Sequence, residues 1–330
     1  MSAADTLAPA RRSGALLRVL GALRTLVLGT LLTLGPLTSI LVLGWLSRRM
    51  QATIEARLTR RPQPSPGWVL GPRGAGRVVR LFGGLGANIR AGVSAALALA
   101  GLTLPFTLLW LGAWWAGWEN SFNKGYEQAA VGPSVFLAGT ALSLPLIAFL
   151  PLALAHAAVE GRAAAAFELR RLRAVAAHAG WRLPALGWLT LALALPLFAG
   201  RGLPAFAGAM WDGLEGLSPE AVEVLRGWIA LARAAWAFLA LVLLRGIAAR
   251  LYAGAATAAA GADPTLWART RARSAARFAP PPPRALRALW LLLALAPGLG
   301  LGFLILAGQF LNHAWWLWLT HPFLLLPWPG

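Results

Sequence analysis

His156 and Glu160 stand four residues apart in "LALAHAAVEG", a spacing that puts two side chains on one helix face and could give one metal ion two ligands. No third ligand is evident: His178 falls in a basic stretch, and His313 and His321 lie near the C-terminus. The pair reads better as polar residues closing an apolar helix than as a metal centre. Cysteine is absent, which excludes disulfide frameworks, thiolate nucleophiles, iron–sulfur clusters and cysteine-ligated zinc. There is no His-Glu-x-x-His, no Gly-x-Ser-x-Gly and no pair of aspartates in facing apolar segments, so common hydrolase and intramembrane-protease arrangements lack their reactive groups. The expectation is a protein that is not an enzyme and carries no cofactor.

Two glycine-rich stretches could cradle phosphates. "GPRGAGRVV" lacks both the Walker Lys-Ser/Thr and the distal acid of a dinucleotide fold. "PGLGLGF" lies inside an apolar run, where Gly298 and Gly302 form Gly-x-x-x-Gly and suit close helix packing; Gly92, Ala96 and Ala100 offer a second such face. Arg233 is the polar residue with most to say, since a charge within hydrocarbon costs about 2.5–3.5 kcal/mol or more. It either snorkels outward past Trp228 or faces an interior path, in which case Gln309 and Asn312 would join it.

The elements that would position these groups are apolar runs near 20 residues. Hydrophobic residues make up 58% of the 330, charged ones 12%, and the mean hydropathy is +0.64, values that exclude ordinary soluble domains. Candidate spans cover 91–118, 134–158, 184–200, 228–244 and 288–311. The formal charge of +19 is distributed in alternation. Segments 48–90, 159–183 and 245–287 hold nine, five and eight arginines, whereas 119–133 has only Lys124, 201–227 only Arg201 and Arg226, and 312–330 none. The positive-inside rule places the three basic segments in the cytoplasm and the C-terminus outside, with tryptophans 110, 114, 115 and 118 and the C-terminal "HAWWLWLTHPFLLLPWPG" at the outer interface.

Between Arg24 and Arg48 lie 23 uncharged residues, enough to span, with Gly35-Pro36 at their centre. Proline lacks a backbone donor and clashes with the preceding turn. Each arm of about eleven residues then reaches only ~16 Å at helical rise. A re-entrant hairpin with both ends cytoplasmic is the preferred reading, and a sixth crossing the alternative.

Two basic stretches look like amphipathic interfacial helices: "GRAAAAFELRRLRAVAAHAGWR", and "DPTLWARTRARSAARF" with Asp263 as N-cap and Pro264 at the first helical position. Arg170, Arg171 and Arg173 in the first, and Arg269, Arg271 and Arg273 in the second, are the candidate contacts to anionic lipid. No nucleic-acid-binding motif accompanies the positive charge, so nucleic acid is not an expected partner. Membrane lipids are, together with a membrane protein partner or a second copy of the chain.

Gly44-Trp45-Leu46-Ser47-Arg48 after a broken apolar segment, then Gly161-Arg162, Ala166-Phe167 and Arg170-Arg171 after a proline-containing span, with Trp181 opening the next, form a loose pattern across residues 20–200. It resembles an uncharacterised prokaryotic family of polytopic membrane proteins classified as a domain of unknown function. The resemblance implies no particular activity. The expected location is a bacterial inner membrane.

The expected fold is an all-α polytopic membrane bundle of five spanning helices plus the broken N-terminal hairpin. Its regions are a basic N-terminal segment (1–24), a membrane domain (25–200) and an additional two-span region (201–330). The expected role is a scaffold, accessory subunit or lipid-organising factor; the alternative is a small transporter or channel with Arg233 near an anion or lipid path.

Overall fold

The computed structural model describes residues 8–71, 76–115, 131–210, 216–271, 280 and 282–311. Among them the regular elements are helices: α1 (Ala8–Thr33), α2 (Pro36–Thr59), α3 (Arg77–Trp114), α4 (Val131–Glu160), a 3-10 turn (Ala163–Phe167), α5 (Leu169–Ala179), α6 (Arg182–Met210), α7 (Pro219–Ala262) and α8 (Arg284–Leu311). Five are long and apolar enough to cross a membrane, over Val78–Ala113, Val131–Glu160, Arg182–Ala199, Pro219–Ala262 and Arg284–Leu301. Each coincides with one of the expected spans, and the fold is an all-α polytopic bundle. The division placed at residue 200 falls inside α6.

The chain breaks where proline demands it. Gly35 is extended (φ −118°, ψ 146°) and Pro36 opens α2, where its fixed φ fits and its missing N–H costs nothing. The arms then fold back on each other. A Cβ on Gly29, before the break, would overlap the ring of Phe238, and Trp45, after the break, packs against that ring at 6.0 Å. Leu20, Leu23 and Arg24 lie beside Trp68 and Leu70, and Trp68 stacks on Trp45 at 4.7 Å and 4°. The two arms thus meet the same neighbours, as a hairpin requires.

Several helices outrun their apolar cores. At 1.5 Å per residue the 44 residues of α7 make a rod of roughly 66 Å, twice the thickness of bilayer hydrocarbon. It begins with Ser218, whose hydroxyl accepts from Ala221 N at 3.3 Å, and Pro219 in the first turn. Arginine-bearing stretches of α2, α3 and α7 are therefore helical extensions rather than loops. Helices α3, α4 and α8 run on through Pro105, Pro145, Pro151 and Pro297.

Alanine dominates the centre. Ala153, Ala155, Ala157 and Ala158 of α4 and Ala248, Ala249, Ala255, Ala256 and Ala259 of α7 are buried in one core. Small side chains let backbones approach closely without a hydrophobic drive from lipid. Helix α5 buries Leu172, Val175 and Ala179 and leaves Arg170 and Arg173 exposed.

Two expectations need correction. From Asp263 the chain makes successive turns through Arg271 rather than a helix. Asp263 Oδ1 accepts from Thr265 Oγ1 (2.7 Å) and Leu266 N (3.1 Å), capping a turn that drops Trp267 fully into the core; its expected continuation, Arg273 included, lies outside the described residues. Trp110 is buried rather than interfacial, edge-on to Phe106 at 4.9 Å, with Nε1 donating to Thr140 Oγ1 at 3.3 Å. Trp115 is exposed, and Trp118 and the C-terminal tryptophans lie outside the described residues.

Candidate functional site

The close approach of α4 and α7 brings His156 against Tyr252, both with no solvent exposure. The tyrosine hydroxyl lies 2.6 Å from Nδ1, and Nε2 lies 2.8 Å from Glu168 Oε2 in the link between the 3-10 turn and α5. A carboxylate only accepts, so Nε2 carries the proton and donates to Glu168; Nδ1 of the neutral ring then accepts from Tyr252. Trp267 closes the cluster edge-on to the imidazole at 6.1 Å. Glu168 also pairs with Arg162 and Arg171, and Arg171 Nε donates to Leu266 O at 3.0 Å. Burial raises the Glu168 pKa, but hydrogen bonds from His156 and Arg171, with the charge of Arg171, outweigh it and hold the carboxyl at about 2.

His156 and Glu160 do not converge. Glu160 Oε1 accepts from Arg271 N at 3.0 Å while the imidazole turns to Glu168. Among the described residues no three of His, Asp and Glu are grouped to hold a metal ion. Chemically, the Tyr252–His156–Glu168 array orders donors and acceptors as a nucleophile–base–acid triad would, yet its tyrosine is fully buried in the core that also holds Trp267 and the alanines of α4 and α7. What it does is tie α4, α5, α7 and the turn at 266–271 together.

A second polar anchor joins α2 to α3. Gly44 is needed for closeness, since a Cβ there would overlap the backbone carbonyl of Asn88. Arg48 Nη1 donates to Asn88 Oδ1 (2.8 Å), and Asn88 Nδ2 donates to Trp68 O (2.8 Å) and Gly67 O (3.2 Å). Trp45 Nε1 donates to Pro66 O at 3.1 Å. The Gly-Trp-x-x-Arg pattern is thus a lock on the chain at 66–68.

Arg57, Arg182 and Arg250, one from each basic segment, line a single groove, and Arg271 N donates to Glu160, so the three basic segments meet. Two grooves open there. One, of about 250 Å³, is lined by Arg173, Arg284 and Arg287 with Phe149, Ala177, Leu183 and Trp290. The other, of about 370 Å³, is lined by Arg57, Arg182 and Arg250 with Trp181, Leu189 and Ile247. Deeper, an apolar cavity of about 70 Å³ between α4, α6, α7 and α8 is reached by Arg245, whose Nη1 points to Met50 Sδ at 3.9 Å.

Of the remaining sequence candidates, Arg170, Arg269 and Arg271 are exposed, whereas Arg171 is engaged by Glu168. Gly92 lies against the Ile40 carbonyl and Gly298 against Leu144, where a Cβ would come within 2.9 Å of Cδ2. Ala96 is half-buried and Ala100 exposed. Arg233 is half-buried on α7 and lines none of these cavities. Gln309 and Gly302 belong to α8, with their surroundings outside the described set, as is Asn312 altogether.

Sequence reasoning missed Glu168, Tyr252, Trp267, Trp68 and Asn88. A signal existed for two: Glu168 is the one acid between Glu160 and Asp212, and Tyr252 is one of two tyrosines against 17 tryptophans. The pairing of His156 with residues 12 and 96 positions away carries no sequence periodicity. No family model, curated protein or solved structure matches the chain.

Proposed function

We propose that the protein acts without covalent chemistry, as an integral membrane scaffold, accessory subunit or lipid-organising factor. Its basic end faces the cytoplasm, its C-terminal segment the opposite side, and a bacterial inner membrane is the host. The observation that carries this reading is the closure of the Tyr252–His156–Glu168 constellation among the described residues: Tyr252 and His156 have no exposure, and each polar end is spent on a partner within the fold. Chemistry needs a space beside the reactive groups, and a scaffold needs none.

A second reading, a small anion or lipid transporter, draws on Arg245 at the edge of an interhelical cavity and on Arg233 in the same helix. Purification in native lipid, with identification of co-purifying proteins and lipids, separates the two. Stoichiometric retention of a membrane protein or a second copy supports the scaffold. A chain recovered alone, showing anion or lipid flux in vesicles that Arg233→Leu abolishes without loss of folding, overturns it in favour of transport.

A further inference from the structure

We infer that the groove between α5 and the start of α8 is a binding site for one anionic phospholipid headgroup, its phosphate held by Arg173, Arg284 and Arg287. It deepens the lipid-organising reading above by naming a site and a ligand class.

Three arginines from two helices line a space of about 250 Å³, and none of the described acidic side chains lines it. The nearby acids are committed: Glu168 to His156 and two arginines, Glu160 to Arg271 N, Asp263 to its own turn. Arg287 Nε is buried and has no hydrogen-bond partner. A buried donor of that kind costs free energy unless an acceptor arrives, and a phosphate oxygen supplies one with the planar geometry guanidinium prefers. The room comes from small residues, Ala176 and Ala177 on α5 and Gly180 just after it; Gly180 sits at φ +62° with nothing within 4 Å of a built Cβ.

The choice of a lipid over a free anion or an acidic peptide follows from what lies around the arginines. Phe149, Leu183 and Leu291 floor the groove, and Trp290 stands in its wall as an indole does at a headgroup boundary. Leu286, Leu289, Leu292 and Leu293 extend an exposed apolar face down α8. A charged head on an apolar stem matches a basic pocket above an apolar helix face.

The test uses the full chain in detergent, with phosphatidylglycerol, phosphatidylcholine or inorganic phosphate added, read by native mass spectrometry and by thermal protection. Retention of phosphatidylglycerol over phosphatidylcholine is expected. Arg287→Gln should weaken it about fivefold and the triple Arg173→Gln/Arg284→Gln/Arg287→Gln about a hundredfold, at ~1 kcal/mol per basic residue. Arg226→Gln, on a residue paired with Glu223 at the other end of α7, should change nothing. Should the triple variant fail to fold, Ala177→Phe fills the groove with the arginines in place and should also lower retention. Equal binding of phosphatidylcholine, equal protection by phosphate alone, or full retention by Ala177→Phe overturns the proposal. A protein partner that still co-purifies with such variants leaves the scaffold reading standing.

Discussion

Tyr252→Phe removes one oxygen and nothing else, and so asks whether the buried cluster braces the fold. The lost hydroxyl sits 2.6 Å from His156 Nδ1, in a site where neither side chain has any exposure. Without it the imidazole keeps its donor bond to Glu168 but is left with a buried, unsatisfied acceptor. That costs about 1–3 kcal/mol, against a negligible change in buried apolar area. Glu168→Gln acts on the other end of the same chain of bonds, so the two effects should not add; a coupling of about 0.5–3 kcal/mol is the range for groups sharing a network. The assay is equilibrium unfolding in mixed micelles, followed by far-UV circular dichroism, for wild type, both single variants and the double. A Tyr252→Phe effect within about 0.5 kcal/mol of zero, as for ordinary surface changes, would refute the bracing role. It would mean that water or an alternative partner reaches Nδ1, and an accessible His156 would reopen the case for chemistry.

Because the folded Glu168 pKa, at about 2, lies below its unfolded value, the stability it contributes is present above about pH 4.3 and lost as pH falls toward 2. Acid titration of the unfolding midpoint should show this loss, and Glu168→Gln should flatten it. Gly44→Ala forces α2 from α3, since its Cβ would meet the Asn88 carbonyl and even the Asn88 Cα would be only 2.9 Å away; a destabilisation of about 1–3 kcal/mol is expected in the same unfolding assay. Replacing Gly35 and Pro36 by leucine should fuse the hairpin arms into one spanning helix. An N-terminal tag, protected from external protease in wild-type cells, should then become cleavable; cleavage of the wild-type tag would mean that this stretch already crosses.

The spans were legible because lipid imposes a length and a composition that each segment must meet alone. The break at Gly35-Pro36 was legible for a similar reason, as proline acts locally. The turn after Asp263 was not, since "DPTLWAR" carries a sound helix start that the burial of Trp267 overrides. Packing faces divided the same way. Gly92 and Gly298 sit at close approaches, while the alanine contact of α4 with α7 hid in a composition where alanine is everywhere. Glu160 shares the helix face of His156, but the partners of the imidazole, Glu168 and Tyr252, are brought by tertiary structure, and their pairing carries no local signal.

The central proposal is that the three basic segments share one side of the membrane, two crossings separating each from the next and a fifth following the last, and the absence of native cysteine makes it directly measurable. Gln63→Cys lies in the exposed connection after α2, and Gly216→Cys in the turn before α7 with open space around it. An impermeant maleimide applied to intact cells should label Gly216→Cys at once and Gln63→Cys only after permeabilisation. Labelling of Gln63→Cys in intact cells, or of both positions alike, would contradict the topology and the cytoplasmic basic face that rests on it.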